Sequence, residues 1–244
     1  MVLFECYFNV INHVFFVFLS EQFELFMKEA LLIILAYLIG SIPTALIISK
    51  HFFNIDIRDY GSGNMGATNT FRVLGPKYGT IVMVMDILKG MLAVGLFYFL
   101  PYYLHNELER TNFMIGLGLA AVIGHIFPLF ANFKGGKGVA TLLGMLIGVQ
   151  PVVAVCCAGV FVLVLFLTRY VSLSSILGAI MFPVSVLWIW NEKELMYRIF
   201  ALLVALLVIM THQKNIGRLF RGVESRIPIL KYRDKRKLRK RADL

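Results

Sequence analysis

Long apolar runs, separated by short polar loops, organise this chain. Seven are read as spans: about Glu29–Lys50, Tyr78–Tyr103, Thr111–Phe130, Gly138–Val149, Pro151–Thr168, Ser172–Trp190 and Leu195–His212. A helix needs about 20 apolar residues to cross the hydrocarbon of a bilayer. The fourth run, at about 12 residues, rises only ~18 Å as a helix and is expected to tilt into its loops or cross in part. The expected fold is an all-α membrane protein, a polytopic bundle of about seven transmembrane helices with short motif-bearing loops. No long soluble domain, low-complexity tract or internal repeat interrupts it.

Residues 1–26 stand apart. Val10 to Leu19 is apolar but holds Asn12 and His13, and neither a basic start nor a small-residue cleavage site accompanies it, which argues against a signal peptide. Met27-Lys28-Glu29-Ala30 reads as a candidate translation start directly before the first span. The expected organisation is an N-terminal extension over 1–26 (an upstream addition or an interfacial helix), a membrane domain over 27–222 and a basic cytoplasmic tail over 223–244.

Composition agrees with the pattern. The 244 residues are 59% hydrophobic and 16% charged, with a mean hydropathy of +0.79. Soluble domains carry roughly a quarter charged residues, so the chain falls in the membrane class. The net charge is +10, and Gln213 to Leu244 alone holds 12 Lys/Arg against Glu224, Asp234 and Asp243, or +9. A solvated or disordered tail with no specific partner is the plainer reading; as a binding tail on a membrane body it suits anionic lipid better than nucleic acid. Arg58, Arg72 and Lys77, then Lys134 and Lys137, then Arg169 and the tail fall on alternate connections. That face is expected to be cytoplasmic, with the C-terminus inside and the body in the cell's inner (plasma) membrane. Cys6, Cys156 and Cys157 show neither disulfide nor zinc spacing, and no metal or cofactor is expected.

The candidate chemistry gathers on that face. Gly61-Ser62-Gly63-Asn64-Met65-Gly66-Ala67-Thr68-Asn69 and Phe133-Lys134-Gly135-Gly136-Lys137-Gly138-Val139-Ala140-Thr141 are glycine-rich loops ahead of helices. Glycines let backbone N–H groups turn toward an anion, and a helix start favours one. Lys137 opposes the helix dipole unless an anion answers it. Ser62, Asn64, Thr68 and Asn69 supply hydroxyls and amides, and Arg72 can grip a phosphate by two parallel bonds. A tight turn in which Asn and Ser satisfy their own backbone is the plainer reading of the first loop. Ser172, Ser174 and Ser175 open the sixth span, where an N-cap explains one serine. His212 and Asn215 close the seventh, where a histidine can complement the helix end. Neither a Walker loop nor a Gly-x-Ser-x-Gly elbow is present. His51 and Asp56 match a His-x-x-x-x-Asp pattern used by another acyltransferase class, with nothing around them in support. Asp86 and Lys89, one turn apart inside the second span, are expected to pair with each other or face the site.

Five segments, taken in order, carry a resemblance. They are Gly40-Ser41-Ile42-Pro43; Gly61 to Gly75; Gly124-His125-Ile126-Phe127-Pro128 with Phe133 to Thr141; Arg169 to Ile176; and His212 with Asn215-Ile216. From about Met27 to Gly222 the chain resembles the bacterial membrane glycerol-3-phosphate acyltransferases that use acyl phosphate as donor. The resemblance implies acyl transfer to the sn-1 hydroxyl of glycerol 3-phosphate, giving lysophosphatidic acid and phosphate. It also implies a functional link to an upstream enzyme that forms acyl phosphate. It makes Lys137, Arg72, Ser172 and His212 candidate catalytic residues. Ser62, Gly63, Asn64, Thr68, Asn69, Gly135, Gly136, Gly138 and Asn215 become candidate substrate contacts. The proton acceptor stays open between a substrate phosphate oxygen and His212. A transporter of phosphorylated solutes is the rival reading, but its site belongs near the bilayer midplane, whereas these motifs gather at one face.

Overall fold

The structure, a computed structural model, describes the backbone of residues 2–227 and the side chains of residue 16, of 19–103 and of 105–227. The basic tail beyond 227 lies outside the described residues. Ten α-helices carry the described chain, with no strand among these residues. They are α1 (Val2–Ser41), α2 (Thr44–Phe53), α3 (Ala67–Leu74), α4 (Pro76–Gly95), α5 (Glu107–Ile126), α6 (Val139–Val149), α7 (Pro151–Thr168), α8 (Val171–Val184), α9 (Leu195–Thr211) and α10 (Gln213–Phe220). All seven expected apolar runs are helical. By length and hydropathy five qualify as membrane spans, and α9 with α10 makes a sixth if that pair, bent by 63°, is taken as one. The fourth run, α6, has 11 residues and is a short apolar helix.

The first span is found, within Leu19–Phe53, but as two helices. Instead of one helix to Lys50, α1 stops at Ser41 and α2 starts at Thr44, because Pro43 has no N–H to continue the ladder. At its other end α1 runs from Val2 without a break at residue 27, so the N-terminal extension and the first span share one helix.

Backbone polar groups freed inside a bilayer must find protein partners, and α4 supplies them. Lys89 Nζ donates to the Ile42 carbonyl at 3.2 Å. Thr44 Oγ1 donates to Asp86 Oδ1 at 2.7 Å. The Asp86–Lys89 ion pair, 3.0 Å apart and almost wholly buried, therefore braces the break in the first span. Of the two expectations for this pair, mutual pairing is the one observed.

Two close crossings hold the bundle. A Cβ on Gly40 would lie 2.0 Å from the Ala121 carbonyl oxygen, and one on Gly124 would lie 2.3 Å from that of Tyr37, so α1 and α5 meet backbone to backbone. Gly90 and Gly144 do the same for α4 and α6, with Cβ positions 2.2 Å from Thr141 O and 1.9 Å from Ile87 O. Without a hydrophobic drive between helices in lipid, such small-residue contacts supply much of the association. Leu117, Val122 and Met145 fill the space around the crossings, while the outer face of α7 stays largely uncovered. A side chain at Gly144 must push the backbones apart. Gly144→Val should lower stability in detergent by about 1–3 kcal/mol or more, whereas Gly159→Ala, with nothing within 4 Å, should change it little. Thermal unfolding of the two purified variants reads the difference.

Candidate active site

The first glycine loop is framed by its own side chains. Asn54 ends α2 in the left-handed conformation (φ 53), and Gly61 and Gly63 continue the turn at φ 65 and 70. The Asn69 amide, 1% exposed, spans the loop. Its Oδ1 accepts from the Ser62 N–H at 2.8 Å, and its Nδ2 donates to the carbonyls of Ile57 at 3.2 Å and Tyr60 at 3.0 Å. Asn64 Oδ1 accepts from the Gly66 N–H at 2.9 Å. Ile57, Met65 and Val73 pack this frame onto Ala45, Leu46 and Ile48 of α2 and Val82 of α4. The structure therefore uses Asn64 and Asn69 as loop braces, the plainer reading. Ser62, Gly63 and Thr68 stay exposed at the rim, the two hydroxyls without a hydrogen bond among the described residues.

The second loop lies flat on the end of α5. Gly135 and Gly136 donate their N–H groups to the Ile126 and His125 carbonyls at 3.1 and 3.0 Å. Cβ atoms there would sit 2.0 Å from His125 O and 2.0 Å from His125 Nε2. Those two N–H groups are thus spent on the helix end and do not turn to an anion. What the glycines provide is close approach, which seats Lys137 before α6. Gly138 follows in the left-handed region at φ 80.

Around Lys137 four distant segments meet. Lys137 Nζ donates to Asn215 Oδ1. Asn215 Nδ2 donates to Glu224 Oε1 at 2.6 Å, Ser172 Oγ donates to the same oxygen at 2.9 Å, and Arg218 Nε donates to Oε2 at 2.6 Å. Arg72 Nη2 donates to Ser225 Oγ at 2.7 Å. His212 Nδ1 faces the Val208 carbonyl at 2.8 Å; a carbonyl only accepts, so Nδ1 carries the proton and Nε2 of the neutral ring keeps its lone pair. His212 is close enough to Lys137 and Glu224 to feel both charges. Ser174 and Ser175 bond back to Tyr170 O and Val171 O within α8 at 2.8 and 2.9 Å.

The electrostatics are unusual for a lysine. Burial pushes the Lys137 ammonium down to about 8; Glu224 pulls it up, while Arg218 and Arg72 press it further down. Burial also works against the charge of Glu224, yet hydrogen bonds from Arg218, Asn215 and Ser172 outweigh it and hold that carboxyl below its ordinary value. The cluster is a cationic, donor-rich seat at one end of the bundle, suited to an anion more negative than one carboxylate.

Sequence reasoning missed Glu224 and Arg218. A single acid in a basic stretch after His212 was the available signal, but it reads as tail composition until the chain folds back. The His51–Asp56 pair does not form. His51 packs edge-on to Phe52, their centroids 4.7 Å apart, and both Asp56 oxygens hold Arg58, at 2.9 and 2.6 Å.

Residues 30–222 match the family model described as glycerol-3-phosphate acyltransferase. The chain belongs to that family. Among relatives named glycerol-3-phosphate acyltransferase, that of Macrococcus caseolyticus is 45% identical over 205 residues, covering 84% of this chain and all of the relative. That of Chlorobaculum tepidum is 43% identical over 220 residues, covering 80% and 95%. The crystal structure of PlsY (YgiH), an integral membrane glycerol 3-phosphate acyltransferase in its glycerol 3-phosphate form, matches with a TM-score of 0.72 and 37% identity, over 83% of this chain and 96% of that one. Its lysophosphatidic acid form matches with a TM-score of 0.70 and 36% identity, over the same shares. This glycerol-3-phosphate acyltransferase is therefore an integral membrane enzyme, and the family match takes in every clustered residue except Glu224 and Ser225.

Lys137 gives the sharpest expectation. Charge-assisted contacts are worth roughly 1.5–3 kcal/mol, so Lys137→Ala should cost activity about 10- to 150-fold or more with membrane insertion and thermal stability nearly unchanged. Lys137→Arg should rescue in part, since a planar fork replaces a compact ammonium. Wild-type activity should fall as pH climbs through about 8, because only the protonated lysine answers an anion. Near-normal turnover in a folded Lys137→Ala protein contradicts the assignment.

Proposed function

We propose that the enzyme transfers a fatty acyl group from acyl phosphate to the sn-1 hydroxyl of glycerol 3-phosphate. The hydroxyl oxygen attacks the acyl carbonyl carbon, the bond from that carbon to the phosphate oxygen breaks, and 1-acyl-sn-glycerol 3-phosphate and phosphate leave. The observation that carries this reading is the convergence of Lys137, Arg72, Arg218, Ser172 and Asn215, three cations and two polar groups, on one seat at the end of a membrane bundle. Both substrates bring phosphate to such a seat, and the donor's chain extends into the apolar body. Support also comes from PlsY, whose structures are of a glycerol 3-phosphate form and a lysophosphatidic acid form.

Acyl phosphate is already activated, so orientation and charge stabilisation suffice and no covalent enzyme intermediate is required. Lys137 and Arg72 neutralise the phosphates, Ser62 and Thr68 at the loop rim hold the glycerol phosphate, and the glycines keep the second loop low enough for Lys137 to reach. Nε2 of His212 is the lone pair toward which the hydroxyl proton passes on its way to the released phosphate. The Lys/Arg excess in the loops on this side supports a seat on the cytoplasmic face of the plasma membrane. There the basic tail meets anionic lipid, and an upstream enzyme that forms acyl phosphate supplies the donor.

Purified enzyme given glycerol 3-phosphate and acyl phosphate should form lysophosphatidic acid and release one phosphate per acyl group, without coenzyme A or a carrier protein. Equal or faster turnover with acyl-CoA overturns the donor assignment.

A further inference from the structure

Glu224 is an acid inside a site meant for anions. It is 9% exposed, and both of its oxygens are engaged by Ser172, Asn215 and Arg218. A carboxylate only accepts. It therefore forces the Asn215 NH2 toward itself and leaves Asn215 Oδ1 as the acceptor for Lys137. It likewise accepts a hydrogen bond from the Ser172 hydroxyl, so the lone pairs of that hydroxyl face elsewhere. The segment carrying Glu224 is fastened on both sides. The Val223 N–H donates to Arg218 O at 3.0 Å and the Ile227 N–H to Arg169 O at 2.9 Å. Ser225 accepts from Arg72, and the Arg226 guanidinium lies 4.9 Å over the Tyr170 ring.

We infer that Glu224 is a positioning residue: its carboxylate sets the orientation of Asn215 and Ser172 and, through Asn215, holds the Lys137 ammonium on the phosphate seat. The inference rests on the site assigned under Proposed function. Besides Glu224, charged groups act on Lys137 from two elements, Arg72 from α3 and Arg218 from α10, and Lys137 in turn acts on His212 at the end of α9. Glu224 is the one acid among them, and it alone favours the protonated lysine.

The role separates from a merely structural one by the direction of a pH shift. In Glu224→Gln the KM for glycerol 3-phosphate should rise about tenfold or more, the scale of one charge-assisted contact. The alkaline limb of kcat/KM should move to lower pH, because Lys137 loses its counter-charge. Glu224→Asp should restore part of both. Arg218→Gln should move the limb the opposite way, to higher pH, by removing a repelling cation and freeing one carboxylate oxygen. Each variant is compared at equal amounts of folded protein, set by thermal unfolding and size exclusion. Should Glu224→Gln not fold, Glu224→Asp decides, since a shortened carboxylate that leaves both KM and the limb at their wild-type values overturns the inference. Limbs that stay at the wild-type pH in folded variants overturn the inference. So does a lower KM in Glu224→Gln, which would make the carboxylate a competitor of the substrate phosphate. Retained activity in Lys137→Ala would instead sink the site assignment itself.

Discussion

Hydrocarbon offers no water to an interrupted backbone, and the rest of this structure follows from that constraint. The helix of the first span breaks at Pro43, where the Ile42 carbonyl accepts from the Thr44 N–H and from Lys89, whose partner Asp86 also takes the Thr44 hydroxyl. A buried ion pair is weak evidence of stability in general, since desolvation offsets attraction. Its value here is that it ties α4 to the interruption between α1 and α2. The chain resumes as α2, and the loop after it packs its own small core of Ile57, Met65 and Val73. Arg72 on α3 is placed by that loop.

The same constraint explains the second loop. The close crossings at Gly40 with Gly124 and at Gly90 with Gly144 bring α5 and α6 against their neighbours. The end of α5 then exposes carbonyls that must be met, and Gly135 and Gly136 meet them. Lys137 is left with its backbone seated and its ammonium half-buried among other cations, answered among the described residues by Glu224 and the Asn215 amide oxygen. Arg218 is answered by Glu224 and Arg72 by the Ser225 hydroxyl, and in the proposed mechanism a substrate phosphate answers the positive charge that remains.

Much of this was legible in the sequence because hydropathy dominates a membrane chain. All seven apolar runs are helices, and the short fourth one is the 11-residue α6. The break at Pro43 was visible as a Gly-Ser-Ile-Pro motif but was read through, because the apolar run continues across it to Ile48. The residue set around Lys137, Ser172, His212 and Asn215 was readable from motif order, and the structure brings it together. Asn64 and Asn69 were offered as substrate contacts, yet their amides brace the loop, a choice between ligand and backbone that composition does not decide. Glu224 was hidden for a different reason: its partner Ser172 lies 52 positions away, and only the return of the chain past α10 makes them neighbours. Local pattern carries no information about such a pair.

In the proposed mechanism a half-buried Lys137, its ammonium pushed down to about 8, awaits the phosphate of glycerol 3-phosphate. Calorimetric titration of the purified enzyme with glycerol 3-phosphate at pH 8, in two buffers of different ionisation enthalpy, counts the protons taken up on binding. A lysine pushed down to about 8 in the free site is half charged there and becomes fully charged beside the dianion. The expected result is uptake of about half a proton per site, by proton linkage, and its loss in Lys137→Ala. Binding without proton uptake, or the same uptake in Lys137→Ala, would contradict the account.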